Sequence, residues 1–187
     1  MRISLGNHVN TIGPRRRMAD TRHAKLVCQA EFSITSARSY LPLIKTDGFT
    51  ACVILSLTSP SHMTGGLAHF DVRTMVRPSL TDVIFPEFRK RDCTDLQAQI
   101  IGGTPGWDSL DLAREIRDVL TSKNVKVAGV DVGNPQPVPG LILDTALLEL
   151  FDIHPPLLPG DAVTTERRLQ AMNYVIRNPK ERLIRLV

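Results

Sequence analysis

The sequence predicts a mixed, strand-rich α/β sandwich over residues 26–150, with a basic extension over 1–25 and a helical addition over 151–187. Three observations carry this prediction. Short apolar or alternating runs bounded by Gly and Pro recur through the middle of the chain. The best helical periodicity, Ser109–Lys123, lies between two of those runs, which is the pattern of a strand–helix–strand unit. Apolar residues make up 42% and charged residues 22% of the 187 positions, which is enough to build one packed core.

The elements follow in order. Residues 1–24 lack sustained periodicity, and Gly13-Pro14 followed by three arginines breaks any element, so a mobile extension outside the core is expected. Leu26, Cys28, Ala30, Phe32 and Ile34 alternate with Gln29, Glu31 and Ser33, as in one half-buried strand. Ala51–Leu57 is an apolar run suited to a buried strand, and Gly65-Gly66 opens another, Leu67–Arg73. Residues 74–94 fit no single template, because Pro86 interrupts a short helical pattern. Gln97–Ile101 reads as a strand ended by Gly102-Gly103. Asp108 or Ser109 can cap the helix that follows, with Leu112, Ala113, Ile116, Val119 and Leu120 on one face. Val125–Val132 and Gly140–Asp144 are strands, and Leu147–Ile153 is a strand or a helical turn. Thr164 or Thr165 caps a last helix whose face of Leu169, Met172, Val175 and Ile176 is expected to be buried.

Charge is unevenly distributed. Residues 1–25 carry +5 and residues 164–187 carry +4; the whole chain is +4, so residues 26–163 carry −5. The basic ends read as solvated tails near an acidic body. Aromatics at 5% argue against a base-stacking platform, so no nucleic-acid partner is expected. No apolar run reaches the roughly 18–20 residues that span a bilayer, and Asn7, His8 and Asn10 interrupt any secretory apolar region. Membrane insertion is therefore not expected. Three cysteines cannot all pair among themselves, which favours a reducing, cytoplasmic setting. No CxxC occurs, Gly102-Gly103 lacks the Lys-Ser/Thr of a phosphate loop, and neither metal nor cofactor is expected.

The chemistry concentrates between Thr46 and His69. Cys52 opens a buried strand after the turn Thr46-Asp47-Gly48-Phe49-Thr50, and His69 lies on the next strand. Adjacent strands bring side chains about 5 Å apart, so an imidazole can take the thiol proton and create a nucleophile for carbonyl carbon. Such a thiol is expected to alkylate below the ordinary pKa of about 8.5. Elsewhere, His62 beside Ser59 and Ser61 reads as surface, Cys28 as core and Cys93 as exposed. Asp71 and Asp131 read as ordinary strand-end carboxylates, and Trp107 as packing over the helix start or rimming the site.

The spacing Thr46, Cys52 six residues on and His69 seventeen further on, with Gly65-Gly66 before the His, resembles the chemoreceptor glutamine deamidase (CheD) family. Leu26–Thr35, Ala98–Gly103, Ser109–Lys123 and Val127–Gly133 resemble further blocks of that family in the same order, over residues 26–145. The resemblance implies a cysteine-dependent protein-glutamine deamidase with Cys52 as nucleophile, His69 as general base and acid, and Thr46 orienting the imidazole. It implies a protein substrate with an exposed glutamine, a chemoreceptor in the first instance. A chemotaxis phosphatase partner and activity on glutamate methyl esters are also implied. The chain departs from the family at Thr50-Ala51, where Gly-Ser is usual, at Asn134 in place of the second Gly of Asp-Val-Gly-Gly, and at Pro135-Gln136-Pro137. The link after His69 reads as shorter and without the family's long helix. A similar Cys and His layout in the cytotoxic necrotizing factor class of toxins makes a translocated deamidase effector one alternative. A non-catalytic binding module of the same fold is another.

Overall fold

The computed structural model describes residues 9–12, 15, 23–47, 51–105, 108–134, 140–153, 162–177 and 183–187. Thr50, Trp107 and the 135–137 stretch, on which readings were placed above, lie outside them.

The described residues form strands β1 (Val9–Asn10), β2 (Lys25–Leu26), β3 (Glu31–Ser36), β4 (Leu43–Asp47), β5 (Val53–Ser59), β6 (Thr64–Phe70), β7 (Gln97–Gly102), β8 (Lys126–Val132), β9 (Gly140–Asp144), β10 (Glu149–Asp152) and β11 (Arg185–Leu186). They form a seven-stranded sheet in the order β1-β8-β7-β5-β6-β3-β11 and a four-stranded sheet in the order β10-β9-β4-β2. Both sheets mix parallel and antiparallel pairs. Helix α3 (Ser109–Ser122) links the parallel pair β7 and β8, as expected of a strand–helix–strand unit. The predicted strand-rich mixed α/β sandwich is the fold observed.

Three layers result. Helices cover one face of the large sheet, where Leu112, Ile116, Val119 and Leu120 of α3 pack with Phe32, Leu55, Phe70 and Ile100. The other face meets the small sheet through Val27, Ile44, Cys52, Ile54, Leu67, Ile101, Leu141 and Leu143. Asp108 occupies the N-cap position of α3 without a side-chain capping bond, while Ser109 Oγ donates to the Thr104 carbonyl at 3.0 Å.

The ambiguous segment is helical. A turn α1 (Val76–Pro78), a π-helical stretch Ser79–Ile84 and α2 (Phe85–Arg89) run end to end, so the link after His69 does contain a helix. Pro86 falls just after the wider π turn, where the i→i−4 bonding pattern is already interrupted. Cys93 follows this helix and is buried, not exposed, with its thiol against the Arg91 carbonyl at 3.5 Å.

The expected single strand over 26–35 is split. Lys25 and Leu26 pair with β4 in the small sheet, Ala30 turns at φ 57°, and β3 continues in the large sheet. Alternation survives the break, but the side of β3 expected to face water is covered, so Glu31 and Ser33 are buried. The N-terminal residues expected to be mobile are also docked where described. β1 pairs with the edge strand β8, Ile12 packs on the inter-sheet core, and Arg15 bridges Asp131 at 2.8 Å and Asp152 at 2.7 Å. The alternation test misses such a segment because a two-residue strand and a buried ion pair leave no periodic signal.

Helix α4 (Ala162–Arg177) forms as expected; of its anticipated apolar face, Leu169 and Met172 are about half exposed, while Ala171 on the same helix is buried. The chain end is held instead by β11 on β3 and by Ile184 in the helix-side core.

Gly65 and Gly66 are needed for packing on opposite faces of β6. A Cβ at Gly65 would lie 2.8 Å from Leu143 Cδ2 in the facing sheet, and one at Gly66 only 2.6 Å from Phe32 Cε2 and 3.1 Å from Phe88 Cζ. Gly66→Ala should therefore cost about 2 kcal/mol through overpacking. Thermal melts check this, with the far-ultraviolet circular dichroism spectrum unchanged.

Candidate active site

The site is assembled where the two sheets face each other. Thr46 projects from β4 of the small sheet and His69 from β6 of the large one. Thr46 Oγ1 and His69 Nδ1 are 2.8 Å apart, and both residues are buried. With Nδ1–H donating to the threonine oxygen, Nε2 is the nitrogen that carries the basic lone pair. The register pairs Ile54 with His69, so Cys52, two residues before Ile54, lies on the same face as the imidazole and diagonally across from it. Thr46 and His69 thus meet between the sheets, with Cys52 on the same face of the large sheet. Thr46 and His69 are in direct contact. Among the described residues no hydrogen bond joins Cys52 Sγ to the imidazole.

Backbone geometry closes one side. Gly102, Gly103 and Gly133 have φ of 106°, 72° and 75°, conformations that glycine adopts without strain. Gly103 N–H donates to the Cys52 carbonyl at 3.0 Å, and Gly133 N–H to the Gly103 carbonyl at 2.7 Å. The ends of β7 and β8 are thereby tied to the start of β5, which fixes the backbone at Cys52.

The electrostatics differ from the sequence expectation. Burial pushes the Cys52 thiol up to about 12, and the negative charge of Asp71 adds to the shift. Burial pulls His69 down to about 4, with Asp71 opposing it. The resting pair is therefore a neutral thiol beside a neutral imidazole, not a preformed thiolate. Alkylation below the ordinary thiol pKa, expected from the sequence, does not fit this closed site: the apolar neighbours Ile54, Leu67 and Ile101 that position Cys52 also remove the water that would stabilise its charge.

Asp71 is the charged neighbour of Cys52 and His69 that the sequence undervalued. It is buried, accepts from Gln29 Nε2 and from Arg73 N–H at 2.9 Å, and its charge acts on both Cys52 and His69. Its position just past β6, opposite Cys52 in the extended register, was the available signal. Asp131 belongs to the Arg15 bridge instead. His62 is a surface residue, with Nδ1 2.7 Å from Ser61 Oγ. Cys28 is buried. No group of three or more metal-binding side chains occurs among the described residues, and none of their helices is long and apolar enough to cross a membrane.

The buried imidazole makes stability depend on pH. In the unfolded chain a histidine titrates near 6.5, whereas His69 in the fold titrates near 4. The unfolded state thus binds more protons as the pH falls, and stability present above 6.5 is lost progressively down to 4. The difference amounts to about 3 kcal/mol. Denaturant titrations of wild type and His69→Gln between these pH values check it; only the wild type should show this component.

No family model matches the chain, and no curated protein matches it. Among solved structures the chain is similar to the hypothetical protein YfiH of Bacillus licheniformis, at 13% identity, a TM-score of 0.42, and coverage of 83% of this chain and 69% of that one.

Proposed function

We propose that this protein is a cysteine-dependent protein-glutamine deamidase of the chemoreceptor deamidase type. The observation that supports the reading most directly is the 2.8 Å contact between Thr46 Oγ1 and His69 Nδ1, formed between two sheets with Cys52 on the same face. Sequence spacing alone does not create such a contact. In this reading His69 takes the Cys52 proton as sulfur attacks the side-chain carboxamide carbon of a glutamine. The C–N bond breaks, the proton passes to the departing ammonia, and a thioester remains. Water adds with His69 as base, the C–S bond breaks, and glutamate and the thiol are released. Because the resting pair is neutral, proton transfer accompanies attack instead of preceding it. The same acyl transfer, with methanol as leaving group, would hydrolyse a glutamate methyl ester.

The substrate is a protein with an exposed glutamine, in the first instance a chemoreceptor, and a chemotaxis phosphatase is the expected regulatory partner. All three cysteines are free, which suits a reducing cytoplasm. A translocated effector would use the same chemistry on a host protein. The second reading is a non-catalytic binding module, favoured by the burial of Cys52 and His69 and by the neutral resting pair.

The test incubates the protein with receptor signalling fragments and with host-cell extract, and reads ammonia release and the mass gain of about 1 Da that accompanies Gln-to-Glu conversion, against Cys52→Ala. The enzyme reading expects both signals from wild type only. Equal signals from both proteins, or none from either alongside receptor capture by both, would favour the binding module.

A further inference from the structure

A recess lies away from Cys52, at the opposite end of β3 and β6. It is a cavity of about 570 Å³ beside Ser36 and Thr64. Thr64 precedes His69 by five residues along β6, which places the cavity roughly 17 Å from the imidazole. Among the described lining residues are three cationic side chains, Lys25, Arg38 and Arg91, and no carboxylate. Residues 26–163, which include Arg38 and Arg91, sum to −5, so their positive charge here runs against the background of that segment.

The nearby acids are already engaged. Asp95 accepts from Ser59 Oγ and from Ser61 N–H at 2.8 Å, and its pKa is held down to about 2. Glu87 is bridged by Lys90 and by Arg91 at 2.9 Å. Lys25 Nζ has only a long contact to the Ile34 carbonyl at 3.5 Å, and Arg38 has no carboxylate partner among the described residues. Two cations therefore face the cavity without a counter-charge among the described residues, and the Ser36 hydroxyl stands beside them. Ile34 and Met63 supply an apolar wall. The volume falls in the range of small-molecule sites, about 300–1,000 Å³, and far exceeds what a phosphate group alone needs.

We propose that this cavity is a binding site for a small phosphorylated molecule. Lys25 and Arg38 hold the phosphate through charge-assisted hydrogen bonds, and the organic body rests against Ile34 and Met63. The site is independent of the Cys52 chemistry.

Calorimetric titrations with inorganic phosphate, AMP and adenosine test it on the full chain, with wild type, Lys25→Ala, Arg38→Ala and Arg38→Lys. AMP should bind more tightly than phosphate, adenosine should not bind measurably, and added salt should weaken AMP. Each alanine variant should weaken AMP about tenfold while Arg38→Lys retains most of the affinity. Both alanine changes remove partly solvated side chains, so melting curves of the free proteins should coincide. Absence of AMP and phosphate binding, adenosine binding as tightly as AMP, or alanine variants that bind AMP like wild type would each overturn the proposal.

Discussion

Glu31→Ala should lower the melting temperature by about 6–12 °C, equivalent to about 3 kcal/mol in a chain of this size. The Glu31 carboxylate is buried on β3 and serves three donors: Cys28 N–H at 2.9 Å, Arg167 at 2.9 Å and Arg185 at 3.1 Å. Its loss strands the Cys28 amide and removes the anchor that ties both α4 and β11 to the body. The two arginines are 39% and 36% exposed, so water can recover part of their solvation, and the lower end of the range for breaking a buried pair applies. Arg185 also stacks over the Tyr174 ring at 4.1 Å, a contact that keeps it in place but does not replace the carboxylate. Glu31→Gln preserves an acceptor oxygen and should lose less. Melts of the three proteins at one concentration check the order, and an alanine variant that melts like wild type would show that the chain end is held by β11 pairing alone.

Thr46→Val should reduce turnover about a hundredfold with little change in KM, provided the proposed deamidation is the activity. Valine keeps the shape of threonine but cannot accept the Nδ1–H bond, so the imidazole loses its fixed tautomer at the buried inter-sheet contact. Thr46→Ser restores the oxygen and should recover most of the rate. Nitrogen-15 NMR of the His69 ring reports the tautomer whether or not turnover occurs. If valine left both the ring signals and the rate unchanged, Thr46 would be a packing residue and not a positioning one.

Much of the site was legible because its parts are local. The apolar run after Cys52 and the glycine pair ahead of His69 are each written within a few residues, and alternation places Cys52 and Ile54 on one face. Glu31, Asp71 and Arg15 were not legible, for one shared reason. Each draws its role from a partner distant in sequence: Glu31 from Arg167 and Arg185, Asp71 from Cys52 and His69 packed nearby, Arg15 from Asp131 and Asp152. A carboxylate in an alternating strand reads as solvent-facing until something is known to cover that side. The exposed positions Leu169 and Met172 show the converse, a helical face with apolar character that the described residues leave half uncovered.

The sequence by itself determined the strand-rich mixed α/β class, the position of α3 between two parallel strands, and the order and spacing of Thr46, Cys52 and His69. Side-chain periodicity and glycine placement are properties of neighbouring residues, so they survive without coordinates. Only the tertiary structure decided that Thr46 and His69 touch across two sheets, that Cys52 and His69 rest as neutral groups, and that the basic ends dock on an acidic body. Those outcomes depend on how much water is removed and which distant charge arrives, and burial and long-range pairing exist only once the chain has folded.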